Sequence, residues 1–231
     1  TIDHGSYFEL GPVDRGEDAR RDICLTLEDM GFEIEASHHE CAPGQHEIDF
    51  KYSDAMTAAD NLLTFKAAVK SIAARNGLYA SFMPKPLPDK SGSGLHVNLS
   101  LSQGGRNIFK TAPDEGHCPE AEHFMAGVLD HIREITVFLN PLTNSYARFG
   151  AFEAPRYLSW SHQNRSQLIR IPAAVGEYRR AELRSADPTA NPYIAYALLI
   201  YAGMYGLEHD LQLPPASDFN VYTCLLYTSD A

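Results

Sequence analysis

Apolar residues recur with helical spacing in four segments of the chain. Ile23, Leu27 and Met30 share one face of residues 18–30, and Gly31 follows as a stop signal. The same spacing continues in three longer segments, the last of them apolar on most sides. The pattern therefore predicts four helices, over residues 18–30, 57–76, 119–139 and 192–209.

A strict alternation of apolar and polar residues runs through residues 95–101. Val97, Leu99 and Leu101 share one face of the predicted strand. The other face carries His96, Asn98 and Ser100. Shorter extended segments are predicted at 32–40, 47–52, 78–82, 156–160, 167–171 and 181–184. Strands mixed with long helices favour an α+β fold, with an antiparallel sheet covered by helices on one face.

Two glutamates flank a Pro-Gly turn between the first two predicted strands. If Pro43-Gly44 centres the turn, Glu40 lies directly opposite Glu47 on one face of the hairpin. Like charges opposed in this way destabilise a hairpin, and a hard divalent cation offsets their repulsion. The alternative is a solvent-exposed hairpin with two screened acids, and this segment alone leaves both interpretations open.

Four arginines lie in or beside the short predicted strands of the second half of the chain. Guanidinium groups suit bidentate contacts with carboxylates and phosphates. They either form structural ion pairs with Glu153 and Glu182 or hold an anionic substrate. The arginines are Arg148, Arg165, Arg170 and Arg184. His96, on the polar face of its strand, is in the same way either a solvated residue or a metal ligand.

Composition narrows the class of protein. The 231 residues include 30 acidic and 19 basic side chains, and this balance argues against a general nucleic-acid binder. Four cysteines without regular spacing are typical of reduced thiols in a cytoplasmic protein. No signal peptide is visible, and the longest apolar run, residues 194–207, is too short to span a bilayer.

Carboxylates and a histidine for metal, together with arginines for anions, form the composition expected of phosphoryl transfer. The chain also closely resembles type I glutamine synthetase through its catalytic domain. The matching segments, in the family's order, are 38–50 (HHECAPGQHEIDF), 82–101 (FMPKPLPDKSGSGLHVNLSL), 140–172 (NPLTNSYARFGAFEAPRYLSWSHQNRSQLIRIP) and 181–206 (AELRSADPTANPYIAYALLIYAGMYG).

The resemblance implies a curved antiparallel sheet backed by helices and a reaction that joins glutamate and ammonia with ATP through γ-glutamyl phosphate. It assigns two Mg²⁺ or Mn²⁺ sites to Glu40, Glu47, His96 and Glu182. It assigns glutamate binding to Gly92, Arg148, Glu153, Arg165 and Arg184. It assigns ATP binding to Glu35, Asn98, Ser100, Arg165 and Arg170. Catalytic roles fall to Glu153, Arg165 and Arg184, with Glu153 in a flap that helps deprotonate ammonium.

The resemblance covers residues 1–222 and implies a partial catalytic domain, because the family's N-terminal β-grasp domain, a Glu-x-Glu strand after it and the C-terminal part are missing. Residues 223–231 are expected to be a tail of other origin. The family assembles as a dodecamer of two stacked rings, and the fragment alone is expected to be inactive. Two alternatives are a γ-glutamyl-polyamine ligase and a non-catalytic structural relative.

Overall fold

The computed structural model describes residues 1–110, 118–152, 154–174 and 176–217. The chain divides into two compact units, Thr1–Gly92 and Ser93–Ala231. Each unit has an apolar cluster of its own.

The first unit packs two helices against a hairpin. Its elements are α1 (Glu17–Asp29), β1 (Ile34–His39), β2 (His46–Phe50) and α2 (Ala55–Arg75). Ile23 and Leu27 of α1 and Ile72 of α2 form the buried cluster. Ile34 and Ile48 of the hairpin pack against this cluster with one face, so the other face of the hairpin is available for polar chemistry.

The predicted elements of the first unit are largely confirmed, with two corrections. α2 begins at Ala55, two residues before the predicted start at Thr57, because the carboxylate of Asp54 caps the helix by accepting hydrogen bonds from the backbone N–H groups of Met56 and Thr57. The predicted strand over 78–82 is wrong, since this segment forms no ladder among the described residues. Tyr79 there is 93% exposed, and the ring of Phe82 contacts that of Phe65.

The second unit contains a four-stranded sheet and two long helices. Its elements are β3 (Val97–Leu99), β4 (Ser102–Gln103), β5 (Arg106–Asn107), α3 (Pro119–Leu139), β6 (Trp160–His162), β7 (Ile169–Ile171), β8 (Ala181–Leu183) and α4 (Pro192–Glu208). The sheet has the order β3-β8-β7-β6. The β3–β8 and β8–β7 pairs are antiparallel, as predicted, and the β7–β6 pair is parallel.

Small residues let α3 and α4 approach closely. A Cβ atom added to Gly127 of α3 would lie 2.2 Å from the carbonyl oxygen of Ala202 in α4, and one added to Gly206 would lie 2.1 Å from the carbonyl oxygen of His123. One side of α4 stays exposed, with Tyr201 77% accessible in this chain. The predicted burial of this helix on most sides therefore holds only for the side that packs on α3.

The predicted α+β class is confirmed by four helices and short, mainly antiparallel strands. Within the described ranges, every helix is too short or too polar to cross a lipid bilayer.

Candidate active site

The turn of the hairpin lies where the sequence predicts it, but the strand register differs. Gln45 N donates to Ala42 O at 2.9 Å, and Gly44 has the positive φ of 67° that this turn requires. Glu40 N then donates to Gln45 O, and the ladder places His38 opposite Glu47. The prediction that Glu40 directly faces Glu47 is therefore wrong by two residues.

Side chains close to the turn explain the shift. Cys41 N donates to Glu40 Oε2 at 2.8 Å, and Ala42 N donates to Gln45 Oε1 at 3.0 Å. These two backbone donors are satisfied outside the ladder, so two residues of the first strand drop out of the pairing. A shift of two residues leaves every side chain on its original face, and Glu40 still shares a face with Glu47.

Glu40, Glu47 and His38 form a cluster of potential metal ligands. One donor atom from each lies within 4.8 Å of the others, and His38 Nε2 is 3.8 Å from Glu47 Oε1. Partial burial, followed by repulsion from Asp49 and Glu40, raises the pKa of Glu47 to about 8. Without a counterion, these crowded carboxylates repel one another when they are ionised. Their donor set and excess of charge fit a divalent cation.

The opposite face of the same hairpin carries a second group of potential ligands, Asp3, Asp14, His39 and His46. Arg20 Nη1 lies among them, 2.7 Å from Asp14 Oδ2 and 2.8 Å from His46 Nδ1. A guanidinium group at this distance occupies the place of a cation. Although burial raises the pKa of Asp3, hydrogen bonds from His39 and Gly44 hold it below its ordinary value. Arg20 and the hydrogen bonds to Asp3 therefore pair most of this group internally, while His46 Nε2 is buried without a hydrogen-bond partner among the described residues.

In the second unit, Glu182 of β8 lies at the centre of a cluster of positive groups. Its neighbours in the ladder are Asn98 on β3 and Arg170 on β7. Arg170 Nε donates to Glu182 Oε2, and Arg184 Nη1 donates to Oε1 at 2.8 Å. Burial opposes the ionisation of Glu182, but His96 and the two arginines outweigh it and lower the pKa to about 2.

His96 completes this cluster from the end of β3. Its Nδ1 lies 3.2 Å from Glu182 Oε1. Desolvation by the surrounding groups lowers the pKa of His96, Arg184 and Arg148 lower it further, and Glu182 opposes them. A neutral imidazole held by a carboxylate through one nitrogen can offer the other to a metal. His96 Nε2 therefore has the chemistry of a metal ligand, while both carboxylate oxygens of Glu182 already accept from arginines.

Gly94 lies against this cluster with little space. A Cβ atom at Gly94 would be 3.0 Å from His96 Nε2 and 3.3 Å from Arg148 Nη2. Arg148 is 3% exposed and donates to the carbonyl oxygen of Ser185 at 3.1 Å. Gly94 therefore packs closely against both His96 and Arg148.

The remaining predicted site residues have simpler surroundings. Glu35 is exposed next to a bulge in β1, and Asn98 Oδ1 accepts from Arg180 Nε at 3.0 Å. Ser100 and Arg165 are exposed, and the carbonyl oxygen of Arg165 accepts from Arg184 Nε. Glu153 lies outside the described residues.

Gln45 belongs to the site although its sequence surroundings did not indicate it. Its Nε2 donates to the carbonyl oxygen of Gly92 at 2.8 Å, while its Oε1 holds Ala42 N. Gly92, a predicted glutamate-binding residue, is thus tied to the turn that carries Glu40. A glutamine next to a Pro-Gly turn is the only local signal, and it does not reveal a partner 47 residues away.

The chain is similar to proteins of a known family. The family described as glutamine synthetase, catalytic domain, matches residues 1–227. Glutamine synthetase of Clostridium saccharobutylicum is 54% identical over 224 residues, which are 96% of this chain and 51% of the relative. Glutamine synthetase of Staphylococcus aureus strain MW2 is 54% identical over 222 residues, 95% of this chain and 50% of the relative.

Similar solved structures include one titled GmaS/ADP complex in conformation 1. It is 34% identical, has a TM-score of 0.85, and the match covers 94% of this chain and 51% of that one. Apo GmaS without ligand gives the same identity and TM-score and covers 94% and 50%. The chain spans about half the length of the curated relatives it matches. It belongs to the glutamine synthetase family, and its sequence is that of the family's catalytic domain.

Proposed function

We propose that the protein containing this chain joins ammonia to L-glutamate with ATP, through a γ-glutamyl phosphate intermediate. The crowded acid pair Glu40 and Glu47 is the observation that carries the proposal. The pKa of Glu47 is raised to about 8 by burial and by neighbouring carboxylates. Such a pair is destabilising without a cation and suits Mg²⁺ or Mn²⁺.

Two divalent cations fit the donor groups. Glu40 and Glu47 would hold one, and His96 and Glu182 would hold the other. When bound, the cations supply positive charge that neutralises the phosphates of ATP. Glutamate's carboxylate is a poor electrophile until it is phosphorylated, and this charge neutralisation favours the transfer.

Arginines of the second unit have the chemistry to bind the anionic groups. We assign glutamate and the transferred phosphate to Arg148, Arg165 and Arg184, and the ATP phosphates to Arg170. Arg184 and Arg170 both contact Glu182, which keeps their guanidinium groups oriented. Orientation of this kind is the main contribution that a protein makes to phosphoryl transfer.

The remaining family roles are part of the same proposal. Glu35, Asn98 and Ser100 would contact the nucleotide, and Gly92 would contact the substrate's backbone atoms. Glu153 would close over the site, exclude water and take the proton from ammonium. Exclusion of water protects an acyl phosphate from hydrolysis until ammonia attacks. The protein would assemble as the family's dodecamer.

Ammonia is the favoured acceptor because this chain is 54% identical to proteins named glutamine synthetase and 34% identical to GmaS. An amine acceptor, such as a polyamine, is the second candidate. The similarity of this chain to GmaS is the observation that supports an amine acceptor as the second candidate.

The test is an assay of the gene product that contains this chain, with ATP, L-glutamate and either ammonium or an amine. We expect glutamine formation that requires Mg²⁺ or Mn²⁺ and falls at least about 100-fold in Glu47→Gln. We also propose that the 231-residue chain alone is nearly inactive, because it spans about half the length of the curated relatives that it matches. Faster turnover with an amine than with ammonium would overturn the acceptor assignment, and absence of both reactions would overturn the proposal.

A further inference from the structure

Buried side chains lie on the face of the β1–β2 hairpin opposite Glu47. His39 is directly paired with His46 in the ladder, next to the His38–Glu47 pair. Because successive side chains of a strand alternate between faces, His39 points away from the carboxylates of the proposed metal site. It is 0% exposed, and its partner Asp3 is 6% exposed.

Asp3 fixes one end of the turn. Its Oδ1 accepts hydrogen bonds from Gly44 N at 2.6 Å and from Gly5 N at 3.3 Å, and its Oδ2 accepts from Arg15 N at 3.3 Å. The Gly44 contact joins residues 41 positions apart. A charged acceptor for a backbone N–H makes a short and strong hydrogen bond, so Asp3 holds the turn at Gly44.

His39 fixes the other end. Its Nδ1 lies 2.6 Å from the carbonyl oxygen of Glu40, and its Nε2 lies 3.1 Å from Asp3 Oδ1. The ring has no space to move toward Gly5, where an added Cβ atom would lie 2.6 Å from Nε2. The imidazole therefore connects Asp3 to the backbone of Glu40.

The orientation of the Glu40 carboxylate follows from this backbone. Glu40 Oε2 accepts from Cys41 N at 2.8 Å, so rotation of the peptide unit between residues 40 and 41 would move the carboxylate. The same peptide unit carries the carbonyl oxygen that contacts His39. An error of about 1 Å in a ligand position is enough to weaken a metal site.

We propose that Asp3 and His39 are positioning residues, which orient Glu40 for a divalent cation by holding both ends of the turn. The inference rests on the proposed metal-binding role of Glu40. It assigns to these two residues the function of the outer partners of a metal site, whose loss costs about 10- to 100-fold in metal affinity.

The test is a titration of the 231-residue chain with Mn²⁺. The concentration of free Mn²⁺ is measured from its electron paramagnetic resonance signal. We expect Asp3→Ala to raise the Kd at least about 10-fold. Asp3→Asn should recover most of the affinity, because its amide oxygen can still accept from Gly44 N. Leu27→Ala is the matched control. It removes a fully buried side chain of the same unit that lies in the helix core, so it should lower the Tm and leave the Kd within about twofold.

A purely structural role for Asp3 would make Asp3→Ala behave like Leu27→Ala, with lower stability and unchanged affinity, and would overturn the inference. If Asp3→Ala fails to fold, Gly5→Ala decides, because its methyl group displaces His39 while Asp3 remains. Unchanged affinity in Gly5→Ala would then overturn the inference. Glu47→Gln separates the two proposals, since a chain whose Mn²⁺ affinity is unaffected by Glu47→Gln lacks the proposed metal site altogether.

Discussion

At the scale of single residues, two glutamates of this chain have opposite ionisation behaviour. Glu47 lies near Asp49 and Glu40, and burial together with their repulsion raises its pKa to about 8. Glu182 lies among His96, Arg170 and Arg184, which lower its pKa to about 2 in spite of burial. The first carboxylate therefore has a strong electrostatic preference for an added cation. The second is already neutralised by side chains and serves as well to orient the arginines.

The raised pKa of Glu47 predicts a pH-dependent effect on stability. Because the folded-state pKa of about 8 is above the ordinary value of 4.5, the folded chain binds this proton more tightly than the unfolded chain. The associated stability is present below pH 4.5 and is lost as the pH rises through about 8. In metal-free buffer, Glu47→Gln should therefore raise the Tm at pH 8 but not at pH 4.5.

The size of this effect is limited by solvent, because the Glu47 side chain is 44% exposed. After solvent screening, we expect Glu47→Gln to raise the free energy of unfolding at pH 8 by about 1 kcal/mol, which corresponds to about 2–4 °C in Tm. Scanning calorimetry in EDTA measures this change. Glu33→Gln is the control, since Glu33 is 69% exposed and paired with Lys51. A Tm gain for Glu47→Gln that is equal at both pH values would contradict the prediction.

At the scale of elements, the site depends on short segments supported by closely packed larger ones. β8 lies between β3 and β7 and is only three residues long, yet all three of its residues are buried. The helices α3 and α4 contribute the main buried cluster, together with Leu183 of β8 and Ile169 of β7. Firm helix packing therefore supports the strand that carries Glu182.

The close contact between α3 and α4 predicts that Gly127→Ala destabilises the protein. Alanine normally favours a helix over glycine by about 1 kcal/mol, but here its Cβ would meet the carbonyl oxygen of Ala202 at 2.2 Å and Gly206 N at 2.7 Å. Backbone atoms cannot move aside without straining both helices. We therefore expect Gly127→Ala to lower the free energy of unfolding, measured with urea, by about 1–3 kcal/mol.

Asp130→Ala is the matched control for this substitution. Asp130 lies one turn further along α3, and its side chain is 63% exposed. Aspartate already has a Cβ atom, so alanine adds no atom there, and the free energy of unfolding should change by less than about 0.5 kcal/mol. Equal stability of Gly127→Ala and the wild-type chain would show that the two helices are not held at this distance.

At the scale of the whole molecule, the two units have separate apolar clusters. Leu27 is fully buried in the cluster of the first unit, and Leu199 is fully buried in that of the second. Truncation of a buried leucine to alanine costs about 2–5 kcal/mol. The cavity left by each truncation should destabilise the cluster that contains it. The other cluster should keep its stability.

Hydrogen exchange followed by mass spectrometry can measure this prediction. Leu27→Ala should speed exchange in α1, α2 and the hairpin, and Leu199→Ala should speed it in α3, α4 and the four-stranded sheet. Each variant serves as the control for the other. Faster exchange throughout the chain in both variants would show instead that the two clusters unfold as one.

Local patterns along the chain were enough to predict its four long helices and the chemistry of the candidate site. The four helices and the Pro43-Gly44 turn follow from periodicity and from the conformational limits of proline and glycine, which act over a few neighbouring residues. For the same reason the alternation in residues 95–101 was enough to place Val97 on the buried side of β3. The residue types at the site also sufficed to suggest divalent cations and anions.

Four properties became visible only in the folded chain. They are the register of the hairpin, the cap at Asp54, the absence of a strand at 78–82 and the charge state around each glutamate. These properties depend on groups that are distant in sequence. Asp3 reaches His39 across 36 positions and Gly44 across 41, and Glu182 meets Arg170 across 12. Electrostatic and hydrogen-bond energies depend on distances in space, and no pattern of neighbouring residues contains those distances.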